Sequence, residues 1–286
     1  MLFLLLAIFG SGVIPVIFRA FDKFGVNLLW AIPANYLTCV LVGSLLTGNP
    51  AGILSAAAKP WLGLAAVQGF LLAVNFYLLA RTAQRAGVAL AALASRLSVA
   101  IPSLLAFALY GDSLTAIKLA GLLTALLALY LCTAPEQGAG TSRLLQALPL
   151  VVFASFGAYF TILKYLQIHY LDESSYHTYV MSGFVFAFLS SVAIGAAKSV
   201  FSAADFRCKH IAAGILLGVI NYLAVYALLQ VLALKGWQSS QLFPIYSVGV
   251  VAVSMILAAL LFHERLSKQK TMGLAVGAIA VGLLNQ

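Results

Sequence analysis

Charged residues, prolines and glycines divide this chain into ten apolar stretches. They run roughly over 2–18, 27–47, 61–80, 87–109, 114–132, 146–166, 176–197, 211–233, 238–262 and 269–285. A helix needs about 20 apolar residues to cross the hydrocarbon core of a bilayer. No water reaches backbone groups there, so each stretch is expected to be a helix. The expected fold is therefore an all-α membrane protein of ten transmembrane helices. Composition agrees: 63% of the 286 residues are hydrophobic and 8% are charged, against about 25% charged in soluble domains. The longest polar connection, TAPEQGAGTSR from Thr133 to Arg143, leaves no room for a soluble domain. The apolar N-terminus lacks a basic leader and runs on past a normal signal core, so it reads as an uncleaved first span. Trp30, Trp61 and Trp237 fall near the predicted span ends, where interfacial aromatic belts form.

The net charge is +9. No basic cluster is interleaved with exposed aromatics, so nucleic acid is not an expected partner. The excess of Lys and Arg suits loops facing the cytoplasm. Eleven of the 16 fall in odd-numbered loops, which puts those loops inside and both termini outside. Cys39, Cys132 and Cys208 form no CxxC, so neither a disulfide framework nor a zinc site is implied. No cofactor motif occurs.

Five stretches lie on each side of the polar midpoint, and polar landmarks recur in order between the halves. SGVIPVIFRAF resembles SFGAYFTILKY, with Gly12 over Gly157 and Arg19 over Lys164. AVNFYL resembles VINYLA, with Asn75 over Asn221, and LSVAIP lies over YSVGVV. The longest match sets GDSLTAIKLAGLLTALLAL over HERLSKQKTMGLAVGAIAV. An odd number of spans per copy makes the second copy enter the membrane from the opposite side. That is an inverted-topology repeat, a common design of secondary transporters. The expected organisation is a first repeat over 1–133, a linker over 134–145 and a second repeat over 146–286.

On these residues the chain resembles the drug/metabolite transporter superfamily, specifically its EamA-type ten-span members. The most specific elements are GDSLTAIKLAG and HERLSKQKTMG: an acid, a leucine, a polar stretch and a glycine-rich last helix. The resemblance implies transport or export of small metabolites, amino acids among them, across a bacterial inner membrane.

Arg96 lies about nine residues into the fourth stretch. A charge at that depth costs from about 3 to well over 10 kcal/mol. Ala89, Ala92, Val99 and Ser103 share its helical face and are small. A guanidinium fork bonds two oxygens of a carboxylate or phosphate at once. Arg96 is thus the candidate anchor for an anionic or zwitterionic substrate; the alternative is a structural arginine bonded to backbone carbonyls. All seven acids fall in loops or at span ends, so no internal counter-ion is expected. The same absence disfavours cation export through a membrane carboxylate. Gln68 and Asn75 share a face of the third stretch, Asn221 lies in the eighth, and Gln238 and Gln241 share a face of the ninth. With Tyr159 and Tyr246 they complete the candidate substrate set; interhelical bonding is the plainer role for any one of them. Pro15, Pro102 and Pro244 each free the carbonyl four residues earlier, on Ser11, Ser98 and Ser240. Broken helices there would wall a cavity, or simply kink. Lys164 is a gate charge or a snorkelling anchor. Gly121, Ala125, Gly273 and Gly277 form small-residue stripes that let the fifth and tenth helices pack on each other.

The expected function is alternating-access transport of a small polar metabolite, an amino acid or organic anion, with export favoured. Two readings compete: export of drugs or aromatic compounds, and a non-transporting scaffold or sensor. A metal site or enzyme built on His169 and His177 in HYLDESSYH matches no established ligand spacing. The expected partners are a small-molecule substrate and the lipid bilayer, with homo-oligomerisation left open.

Overall fold

The computed structural model describes residues 2–47, 56–102, 105, 116–133, 143–171, 173–197, 206–232, 239–263 and 268–284. Among these residues there are ten α-helices and no strand. They are α1 (Leu2–Lys23), α2 (Leu28–Thr47), α3 (Leu62–Arg85), α4 (Val88–Leu97) and α5 (Ala116–Thr133), then α6 (Arg143–His169), α7 (Glu173–Ala197), α8 (Cys208–Leu232), α9 (Ser239–Phe262) and α10 (Lys268–Leu284). One helix falls on each apolar stretch. Seven are long and apolar enough to cross a membrane, and the apolar parts of α4, α5 and α10 are shorter. Large apolar side chains point outward along the helices: Leu5, Leu45, Leu123, Ile256 and Leu260 are more than half exposed. In water such a surface would drive aggregation; in lipid it is the solvated face. The chain is an all-α, multi-pass membrane protein.

Contacts divide the chain into two compact units. Unit 1 comprises Met1–Arg19, Leu78–Phe160 and Leu223–Gln286; unit 2 comprises Ala20–Tyr77 and Thr161–Tyr222.

Unit 1 is built on α4. Leu90, Leu93, Ala94 and Leu97 pack with Ala125 and Ala128 of α5, Val251 of α9, and Leu274, Ala280 and Val281 of α10. The fifth and tenth helices pack extensively on each other, as expected. Gln269 at the start of α10 donates to the Leu131 carbonyl near the end of α5, 3.1 Å. Gly277 does a different job from the one its stripe implied. A Cβ there would lie 2.5 Å from Leu93 Cδ1, so it makes room for α4.

Unit 2 centres on α2, which packs against α7 and α8. A Cβ on Gly214 would lie 2.4 Å from the Ala31 carbonyl oxygen, and one on Gly218 would lie 2.5 Å from that of Asn35. The sequence there reads GILLG, a GxxxG pair, and α8 uses it to reach the α2 backbone. The sequence reading passed over this pair. A second departure is Trp61, which is only 1% exposed. Its ring meets Tyr179 edge-on at 5.8 Å. It is a core residue at a helix start rather than a member of an interfacial belt, because α7 covers it before lipid can. Trp237 lies outside the described residues.

Candidate functional site

α4 follows α3 after two residues. Gly87 has φ 108, a backbone region that L side chains rarely adopt. Ala86 and Gly87 both donate backbone N–H groups to the Thr82 carbonyl, closing the end of α3. The chain then re-enters the core of unit 1 as α4, with every residue of α4 except Arg96 buried.

α4 is shorter than the stretch that carries it. It ends at Leu97, a turn occupies Ser98 and Val99, and helical backbone resumes at Ala100. Pro102 has no N–H to offer the Ser98 carbonyl. That carbonyl instead accepts from Ile101 at 3.1 Å, a tighter three-residue turn. Ser95 and Ser98 add to the break, because each hydroxyl donates to its own helix, to the Ala92 and Ser95 carbonyls at 2.8 and 2.5 Å. Such back-bonding bends helices. Pro15 acts differently: α1 runs unbroken through it. Ser11, one turn earlier, turns its hydroxyl to Tyr246 rather than back to its own helix. α9 likewise runs unbroken through Pro244, so of these three prolines only Pro102 accompanies a break in its helix. Pro33 and Pro149 also sit inside continuous helices and were not singled out from the sequence.

The break moves Arg96 from mid-helix to the last turn of α4. The carboxyl end of a helix carries partial negative charge and favours a cation, by about 0.3–1 kcal/mol at exposed sites and up to about 2 where partly buried. Part of the burial cost of this guanidinium is offset by its own helix. The side chain is half-buried. Its Cζ lies over the ring of Tyr246, 4.9 Å from the centroid, within cation–π range. Its Nε is buried and has no hydrogen-bond partner among the described residues. It pairs with no carboxylate there either. Of the acids, Asp22 and Glu173 are in described helices, and both are near helix ends.

Tyr246 is held in place by how closely α1 and α9 approach. A Cβ on Gly12 would lie 2.7 Å from Val253 Cγ1, and one on Gly249 would lie 2.8 Å from Ile8 Cδ1. Only glycine permits that spacing. The Ser254 hydroxyl, shared with Val250, donates to the Gly12 carbonyl at 2.8 Å. With the helices so close, the Ser11 and Tyr246 hydroxyls meet at 2.7 Å. At the end of α1, Arg19 donates to the Gln84 carbonyl. Gln84 returns a bond to the Phe18 carbonyl at 3.1 Å.

The structure therefore brings Arg96 and Tyr246 together in unit 1, with Ser11 as a third member that sequence reasoning named only for its carbonyl. Tyr159, also in unit 1, packs edge-on against Phe160 at 5.4 Å. Gln68, Asn75, Asn221 and Lys164 belong to unit 2. Gln68, Asn75 and Asn221 are buried there, and Lys164 is half-buried. Asn221 donates to Asn35 Oδ1 at 3.3 Å and lies 3.5 Å from Cys39 Sγ. The Cys39 thiol in turn donates to the Gly218 carbonyl at 3.4 Å. Asn35 was missed from sequence; its signal is a buried amide beside the glycine pair that α8 presents. Gln238 lies outside the described residues, as do the side chains of Gln241 and Pro244. The acid–leucine motifs at Asp112 and Glu264 also lie outside them, as does Ser103.

Residues 145–286 match the EamA-like transporter family. An uncharacterised protein of Haemophilus influenzae is 24% identical over 291 residues, covering 97% of this chain and 95% of that protein. A crystal structure of another protein superposes with a TM-score of 0.58 over 99% of this chain and 94% of its own, at 17% identity. That likeness is one of fold alone, and it covers both halves of this chain.

Proposed function

We propose that this chain, EamA-like over residues 145–286, is a secondary transporter that moves a small polar metabolite by alternating access. The substrate is an amino acid or an organic anion, and the direction is export. The ten helices are the spans of two inverted five-helix repeats, 1–133 and 146–286, in a bacterial inner membrane. The family is one of membrane transporters of the drug/metabolite type, and no enzyme chemistry is assigned to this chain.

One observation carries the substrate class. A half-buried guanidinium presents a buried Nε that no described residue satisfies, and no acid lies in the interior of a helix among the described residues. A buried charge ordinarily comes with a partner. Here an aromatic face and a helix end offset only part of its cost, and a substrate carboxylate would supply the rest. Arg96 is the proposed anchor. Tyr246 acts through the guanidinium rather than on substrate directly, since its hydroxyl is taken by Ser11. Asn221, bonded to Asn35 and Cys39, serves as an interhelical bond. Gln68 and Asn75 remain the amide candidates for substrate contact.

Efflux from proteoliposomes loaded with radiolabelled amino acids or organic anions tests this reading. Wild type should release at least one carboxylate faster than empty liposomes, and Arg96→Ala should not. Equal release by both proteins would remove Arg96 from the site.

A further inference from the structure

We propose that Ser11 is a positioning residue that sets the Arg96 guanidinium through the ring of Tyr246. The inference rests on the reading of Arg96 as the substrate anchor for its functional meaning, but its geometry stands apart from transport. Three helices contribute one residue each. Ser11 is on α1, Tyr246 on α9 and Arg96 on α4. The Ser11 and Tyr246 hydroxyls form a hydrogen bond at 2.7 Å in which either can donate. Both residues are buried, at 9% and 6% exposure. The tyrosine face then lies against the guanidinium, 4.9 Å from Cζ.

Each step follows from the one before. Pro15 leaves the Ser11 carbonyl without its helical donor. The Ser11 hydroxyl, which could have bonded back into its own turn, is spent on Tyr246. A ring tethered at its hydroxyl cannot slide along the α1 surface. Its π face is the contact that orients the guanidinium plane, because Nε has no hydrogen-bond partner among the described residues. Cut the tether and the ring keeps its bulk but loses its register. The guanidinium then samples more orientations. A bidentate acceptor needs a fixed fork, so the tether governs how well Arg96 is presented without touching a ligand itself.

The test measures Arg96 directly and contains no substrate, so it stands or falls separately from any transport assay. Purified wild type, Ser11→Ala, Ser11→Thr, Tyr246→Phe and the double variant Ser11→Ala/Tyr246→Phe are treated with phenylglyoxal, which adds to guanidinium groups. The rate at Arg96 is read by peptide mass spectrometry. Arg207, exposed before α8, is the internal reference. The expected result is a rise of about fivefold at Arg96 in Ser11→Ala and in Tyr246→Phe, the factor one net hydrogen bond typically gives. The double variant should rise no further, Ser11→Thr should match wild type, and Arg207 should not change. Unchanged Arg96 rates, single effects that multiply in the double variant, or a parallel rise at Arg207 would each overturn the proposal. If Ser11→Ala is not recovered folded, Tyr246→Phe against wild type makes the same comparison.

Discussion

Two buried polar clusters in this protein have opposite characters. In unit 2, Asn221 bonds both Asn35 and Cys39 beside the glycines that bring α8 against α2, and the Asn35 Nδ2 has no partner among the described residues. They are neutral, and they sit where two helices touch at backbone distance. In unit 1, Arg96 is charged and ends a helix. It meets an aromatic face, and its Nε has no partner among the described residues. Neutral groups bonded across a helix contact act as interhelical bonds, worth about 1 kcal/mol each in a membrane, even where a donor such as the Asn35 amide nitrogen is left over. A charge left open in the same kind of interior is expensive. The difference is one of charge: a neutral amide tolerates a spare donor at a helix contact, whereas a guanidinium with spare capacity is the stronger candidate for a ligand.

The comparison makes predictions of decreasing size. Arg96→Met should lower carboxylate affinity by about two decades or more, as removing one partner of a buried charged contact does. It should leave the melting temperature unchanged or raise it, since replacing a half-buried charge with an apolar chain of similar size removes a desolvation cost. Isothermal titration and a melting curve on the same preparation check both halves. A large fall in melting temperature would recast Arg96 as structural.

Gly218→Val should have the next largest effect, on the fold rather than on the ligand. The new Cβ would meet the α2 backbone, which cannot yield as a side-chain tip can. The expected loss is about 3 kcal/mol, the upper end of the usual overpacking range. Denaturation in detergent reads it. A melting curve like that of wild type would mean α2 and α8 are not held at backbone contact.

Asn221→Ala should cost about 1–2 kcal/mol, because it strands Asn35 Oδ1 in a buried site. Carboxylate affinity should stay within about twofold of wild type, a bound the same titration sets. A tenfold weakening would return Asn221 to the substrate site and blur the contrast between the clusters. Ser254→Ala should have the smallest effect, at most about 1 kcal/mol. It removes one hydroxyl from the α1–α9 contact while Gly12 and Gly249 keep the helices close.

Much of the fold was legible because membrane helices are written in plain apolar runs. Each predicted stretch carries a helix, and the pairing of the fifth and tenth helices followed from their small residues. What escaped was set by packing between distant segments. Trp61 looked interfacial because nothing local says that Tyr179 lies over it. The GILLG pair was passed over because a GxxxG motif in an apolar helix does not name its partner. α4 looked like one long span because its apolar run continues past Ser98. Its end is set by three modest signals, Ser95, Ser98 and Pro102, none of which breaks a helix alone.

The site was legible in part. Arg96 announced itself as a lone charge in apolar sequence. Tyr246 was chosen for its hydroxyl, yet it presents its face to the arginine, and its hydroxyl goes to Ser11. No sequence pattern encodes which side of a ring a neighbour will use. Ser11 was noticed for the carbonyl that Pro15 frees, and its hydroxyl mattered more.

The most direct measurement is a ligand thermal-shift screen of wild type and Arg96→Ala against amino acids, organic anions, sugar phosphates and cationic drugs. The account predicts that carboxylates raise the melting temperature of wild type, that cationic drugs do not, and that Arg96→Ala responds to neither. Equal stabilisation of both proteins by the same carboxylate would contradict it and make Arg96 a structural residue.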